Sequence, residues 1–235
     1  MRLWVGWMVL VALGCHARTA ERSPADEPFW WGVATSPYQV EDPGDGQFTT
    51  DWDLFYERGR LKDARGDGVG SWTDMARDRQ ALMELGVSHY RFGIEWARVE
   101  PDPGYIDLDV LERYAAHAQA LRAAGIEPVV CLWHFTFPDW ATDLDQPDNH
   151  GWLHPRVAER WGPYVQAVAE ALGPHVTLWA PQNEPNAQAM AGYFLGQWPP
   201  GVSGDLGAVA AQTEAAADRF NEAAVVLRDH DPDAQ

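Results

Sequence analysis

From residue 29 onward, short apolar runs alternate with longer stretches of helical spacing, and three of those stretches stop at a glycine. Trp30 to Thr35 is the first strand-like run, followed by a long loop rich in Gly and Asp through Trp72. Asp74 to Leu85 carries Met75, Leu82 and Leu85 at helical spacing and ends before Gly86. Val87 to Ile94 reads as a second strand. Asp109 to Ala124 reads as an amphipathic helix ended by Gly125, and Glu127 to Trp133 as a third strand. Pro155 to Leu172 is a helix closed by Gly173, Val176 to Asn183 a fourth strand, and Leu206 to Arg228 an alanine-rich fourth helix.

Strands that regularly alternate with helices pair in parallel, because a parallel neighbour is reached only through a crossover. A closed (β/α) barrel needs eight such units and about 250 residues; this chain of 235 residues supplies four. The expected fold class is therefore α/β, the first four βα units of a (β/α)8 TIM barrel. A four-unit doubly wound sheet is the alternative. No Gly-rich phosphate loop follows the first strand, which argues against a dinucleotide site.

The net charge of -18 argues against a nucleic-acid partner, since phosphate binding needs clustered Lys and Arg. Thirteen tryptophans are many for this length; part of them must be core, and sugar-binding clefts also use such flat amphipathic rings. Cys15 and Cys131 are too few for a disulfide framework, and Cys131 sits inside the apolar run Pro128 to Trp133 as a small buried hydrophobe. The eight histidines are scattered without zinc-ligand spacing, so no metal and no cofactor are expected.

Arg2 followed by the apolar run Leu3 to Gly14 suits the core of a signal peptide and is too short to span a bilayer. The run ends Val11-Ala12-Leu13-Gly14-Cys15, similar to a lipoprotein signal with Cys15 as the lipid anchor; cleavage after Ala17 competes with it. Residues 1–17 are thus read as signal and residues 18–28, polar and proline-containing, as a linker. The expectation is an exported protein, at the cell envelope or in the periplasmic or extracellular space.

Polar groups stand at the ends of all four strands. The first leads into Ser36-Pro37-Tyr38-Gln39-Val40-Glu41, and the second is Tyr90-Arg91-Phe92-Gly93-Ile94-Glu95-Trp96-Ala97-Arg98. The third ends Leu132-Trp133-His134-Phe135-Thr136-Phe137-Pro138, and the fourth ends Trp179-Ala180-Pro181-Gln182-Asn183-Glu184-Pro185. A barrel keeps its chemistry at the C-terminal ends of its strands. A glutamate placed there can donate a proton if burial raises its pKa. Each residue also has a plainer reading: Asn183 and Glu184 as a cap and a solvated carboxylate, Gln39 as a loop amide, His134 as a core histidine, Arg91 as a partner of Glu95. Glu95 and Arg98 read as a structural ion pair. Trp133, Trp140 and Trp152 suit either a cleft wall or packing.

Taken in order, these segments resemble glycoside hydrolase family 1, the retaining β-glucosidase and β-galactosidase group, from about Phe29 onward. Gly151-Trp152-Leu153, Gly192-Tyr193-Phe194-Leu195-Gly196 and Pro199-Pro200-Gly201 extend the similarity. The resemblance implies a retaining β-glycosidase acting on a β-glycoside or oligosaccharide. Glu184 matches the acid/base and Asn183 the residue that holds the sugar 2-hydroxyl. Gln39 and His134 match residues that hold other hydroxyls, and Arg91 the arginine that orients the nucleophile and keeps it ionised. Three positions depart from the family pattern: Phe135 in place of tryptophan, Asn186 in place of an aromatic platform, and Asp42 in place of glycine.

Retention needs two carboxyl groups about 5 Å apart. The family's nucleophile belongs to the second half of the barrel, and no carboxylate here matches it. The expectation is an N-terminal half with little or no turnover by itself and an unpaired edge on its fourth strand. A non-catalytic carbohydrate-binding half-barrel that self-associates at the envelope is the alternative.

Overall fold

The computed structural model describes residues 29–235 apart from 45, 47 and 233. The expected signal segment, Cys15 and the linker therefore lie outside the described residues. Residues 31–235 form one compact unit. Its centre is a four-stranded sheet in the order β1 (Gly32–Ala34), β2 (His89–Gly93), β3 (Glu127–Cys131), β4 (Leu178–Ala180), with every neighbouring pair parallel. Eight α-helical segments lie between and after them: α1 (Pro37–Val40), α2 (Asp51–Glu57), α3 (Met75–Leu85), α4 (Trp96–Val99), α5 (Leu108–Ala123), α6 (Pro155–Leu172), α7 (Pro185–Ala189) and α8 (Leu206–His230).

The long helices begin and end where local chemistry dictates. Asp74, Asp107 and Asp205 each accept backbone N–H bonds as the N-caps of α3, α5 and α8. Gly86 (φ 69°) and Gly125 (φ 78°) take the left-handed conformation that releases the chain toward the next strand. Gly173 works differently: it keeps helical angles, and a Cβ there would meet the Ala169 carbonyl and the His230 ring, both at 2.6 Å. It is needed for the close approach of α6 to the end of α8.

α6 buries Val157, Trp161, Tyr164, Val165, Val168 and Leu172 along one stripe, and Trp161 Nε1 donates to the Arg219 carbonyl of α8 (2.7 Å). That stripe joins Phe92, Val130, Leu132, Trp96, Tyr114 and Leu121 in a single core between sheet and helices. Cys131, the next residue of β3 after Val130, is also fully buried, its thiol pushed up to about 11 by desolvation.

Three differences from the sequence reading have physical causes. The stretch expected as loop through Trp72 contains α2. Thr50 and Asp53 start it with a reciprocal capping box: the Thr50 hydroxyl accepts from the Asp53 N–H, and the Asp53 carboxylate accepts from the Thr50 N–H. The edge of β4 is not bare, since the Trp179 N–H donates to the Gln235 carbonyl and the Gln235 N–H to the Thr177 carbonyl, both at 2.8 Å. Glu95 and Arg98 do not pair with each other. Arg98 lies 3.3 Å from Glu41, donates to the carbonyls of Asp42 and Pro43, and stacks on Trp72, while Glu95 accepts from the Thr136 hydroxyl (3.0 Å). Burial pushes Glu41 up to about 7 against the pull of Arg98 and Tyr114. Glu95 is pushed to about 7 by burial and the charge of Glu41.

Candidate active site

Strand β2 and the segments that follow β3 and β4 bring three of the five singled-out residues together. Arg91 lies in the middle of β2, in register with Ala34 of β1 and Val129 of β3. Its Nη2 donates to Asn183 Oδ1 at 2.7 Å, so β2 is joined directly to the segment that follows β4. Asn183 is buried and is fixed a second time by its own N–H, which donates to the Trp133 carbonyl (2.9 Å). His134, the next residue after Trp133, is buried as well. Desolvation and the Arg91 charge lower its pKa to about 4, which leaves a neutral imidazole at neutral pH. Its Nδ1 is buried without a hydrogen-bond partner among the described residues.

Glu184 follows Asn183 and departs from the expectation of burial: it is exposed, and its side chain makes no capping bond although it stands at the N-cap of α7. Its backbone is left-handed (φ 45°). Phe135, beside His134, is left-handed too (φ 73°). A non-glycine residue with such angles is costly and gathers at sites where a side chain must be aimed. Among the described residues, the two with such angles follow neighbouring strand ends. Sequence patterns carry no direct signal for this.

Gln39, exposed on α1, stands at the rim, in a surface hollow shared with Tyr38, Trp52 and Arg65. An aromatic wall links that hollow to the cluster. Tyr38 and Trp52 ring centroids are 6.0 Å apart, Trp52 and Trp198 5.4 Å, and Trp198 and Phe135 4.8 Å. Trp52 Nε1 also donates to the Phe135 carbonyl (3.1 Å). Trp52 and Trp198 were not singled out from the sequence; only the tryptophan count hinted at such a wall. Trp133 and Trp152 are core residues, and Trp140 donates to the Glu100 carbonyl (2.8 Å).

Asp42, which departs from the family pattern, anchors the first loop. It accepts from the Thr73 N–H (2.9 Å) and hydroxyl, tying the loop to the start of α3. Among the described residues, no group of three or more His, Cys, Asp or Glu side chains is placed to hold a metal ion.

Residues 21–235 match the family described as Glycosyl hydrolase family 1. The cytosolic beta-glucosidase of Homo sapiens is 34% identical over 182 residues, which is 74% of this chain and 38% of that protein. The lactase/phlorizin hydrolase of Homo sapiens is 36% identical over 184 residues, 75% of this chain and 9% of that protein. Among solved structures, the beta-glucosidase from Thermotoga maritima in complex with deoxynojirimycin superimposes with a TM-score of 0.76 at 29% identity, covering 87% of this chain and 46% of that one. The chain thus spans less than half the length of these relatives. Its parallel sheet and helices correspond to the first four βα units of their (β/α)8 barrel.

Proposed function

The chain belongs to glycosyl hydrolase family 1, and on that premise we propose that its strand ends form the acid/base half of a retaining β-glycosidase site. The observation that carries this reading is the 2.7 Å bond from Arg91 to Asn183, with His134 just past the end of β3, the strand between them. That bond fixes the Asn183 amide, leaving its NH2 group as the donor for a sugar hydroxyl. Glu184, one residue on, protonates the leaving oxygen and later deprotonates the water that releases the sugar. Arg91 orients and keeps ionised a nucleophilic carboxylate that lies outside these 235 residues. Neutral His134 and Gln39 hold further hydroxyls, and the wall of Trp52, Trp198 and Phe135 covers the apolar faces of the sugar.

The test is calorimetry of the 235-residue chain with deoxynojirimycin, beside an assay with an aryl β-glucoside. Weak binding is expected, reduced about tenfold in Asn183→Ala, in line with one lost hydrogen bond. No turnover is expected, because covalent catalysis needs the second carboxylate. Turnover abolished by Glu184→Gln would contradict the assignment of the nucleophile to another segment. Binding untouched by Asn183→Ala would remove the site itself.

A half-exposed row on the inner face of the sheet supports a second reading, a non-catalytic carbohydrate-binding half-barrel that self-associates. A concentration-independent dimer on size exclusion that binds the same sugar without turnover would favour it. The signal segment, the lipid anchor at Cys15 and export belong to the same proposal, and globomycin-sensitive processing of the expressed precursor tests the anchor.

A further inference from the structure

Beside the site lies a pair of buried groups that the proposed chemistry does not use. Asp51 opens α2 and His150 precedes the Gly151-Trp152-Leu153 turn; they are 1% and 0% exposed, with Asp51 Oδ2 3.7 Å from His150 Nε2. That oxygen and both ring nitrogens have no hydrogen-bond partner among the described residues. Buried polar atoms are costly when unmatched, so three such atoms in one place point to an interaction that closes there.

The pair sits where three loops meet. Asp51 Oδ1 accepts from the Phe137 N–H (3.0 Å), the Asp51 N–H donates to the Phe137 carbonyl (2.9 Å), and the Asp139 N–H donates to the Thr49 carbonyl (3.0 Å). The loop after β1 is thereby laid along the loop after β3. The His150 carbonyl accepts from Gln212 Nε2 of α8 (2.9 Å), and Gln212 also bonds the Tyr193 hydroxyl of the loop after β4 (2.5 Å). Trp52, adjacent to Asp51, is the centre of the aromatic wall.

We propose that Asp51 and His150 share one proton in a buried tie of no net charge, carboxyl as donor and Nε2 as acceptor, which fastens these loops and positions Trp52. A closing of about 1 Å brings the two atoms into hydrogen-bonding range. The surroundings favour the uncharged form. Asp51 is fully buried and faces the acids Glu95 and Asp53, so its carboxyl is raised well above the ordinary range. His150 is fully buried near His154, and its imidazole is lowered to about 3. Tyr193 is the remaining ionisable neighbour, itself near Asp148 and Asp205 and pushed up chiefly by burial.

The proton count gives a signature. Unfolded, the two groups titrate near about 4 and 6.5. Between those values the folded and unfolded pairs hold the same number of protons, and the tie adds no pH slope. Above about pH 6.5 the unfolded pair has lost the proton that the folded pair retains, so stability falls as pH rises.

Three variants of the chain test this through melting temperature between pH 5 and 9 and hydrogen exchange over residues 49–53 and 135–139. Asp51→Asn supplies a neutral donor; it should melt within about 2 °C of the parent at pH 6 and lose part of the parent's decline above pH 6.5. His150→Phe keeps a ring but no acceptor; it should melt about 5 °C or more lower and exchange about tenfold faster in both segments. His150→Gln restores an acceptor, should recover most of that loss, and decides the matter if the Phe variant does not fold. Asp51→Asn as damaging at pH 6 as His150→Phe would overturn the neutral pair. Exchange unchanged in every variant, or His150→Gln no better than His150→Phe, would overturn the tie.

Discussion

Two adjacent rows of the sheet make an informative contrast. Phe92, Val130 and Trp179 lie in register across β2, β3 and β4; the first two are buried and Trp179 packs against the same core. One residue back along each strand, Arg91, Val129 and Leu178 also lie in register, and all three are only half-buried. The backbone and its ladder are the same in both rows. Helices supply what the first row packs against, and the second row faces the side that a closed barrel fills with residues from its other strands. Parallel sheets are ordinarily covered on both faces. Stability therefore resides on one face of this sheet, while the other carries Arg91, the residue that reaches Asn183.

Substitutions can break or sharpen that contrast. The largest effect belongs to the covered side. Trp161→Ala removes a fully buried ring and its bond to the Arg219 carbonyl, and should cost about 3–5 kcal/mol in denaturant unfolding. Next comes a pH effect from a buried carboxyl just past β2. Glu95 has its folded pKa raised to about 7, so the stabilisation belongs to the protonated form. It is complete below the unfolded value near about 4.3 and is lost as pH rises through 7. Glu95→Gln should thus be neutral at about pH 4 and increasingly stabilising as pH rises, by about 2–4 kcal/mol at pH 8, read as a diverging melting temperature.

The neighbouring valines test the rows directly. Val130→Ala should cost about 2 kcal/mol, whereas Val129→Ala, one residue away, should cost under about 1 kcal/mol. Equal losses would mean that the inner row is covered in solution, as self-association would do. The smallest effect on stability is expected from Arg91→Met. It should shift unfolding by less than about 1 kcal/mol yet weaken deoxynojirimycin binding, since its role is to hold Asn183 rather than to fill the core. A large loss of stability with unchanged binding would reverse that assignment.

The sequence by itself determined the four βα units, the glycine stops and the positions of Arg91 on the second strand and of His134 and Asn183 at the ends of the third and fourth. Each follows from short-range rules: side-chain period and the backbone angles available to glycine. Only the tertiary structure decided which partners those residues take. Arg98 chose Glu41 over its near neighbour Glu95, because the loop after β1 folds back over α4. Gly173 was fixed by the approach of α8 and not by its own φ. The aromatic wall of Trp52 and Trp198 and the burial of Asp51 against His150 join residues 146 and 99 positions apart, by subtraction of their numbers. Such pairings depend on how loops from separate strands pack over one another, and no periodicity along the chain encodes that distance.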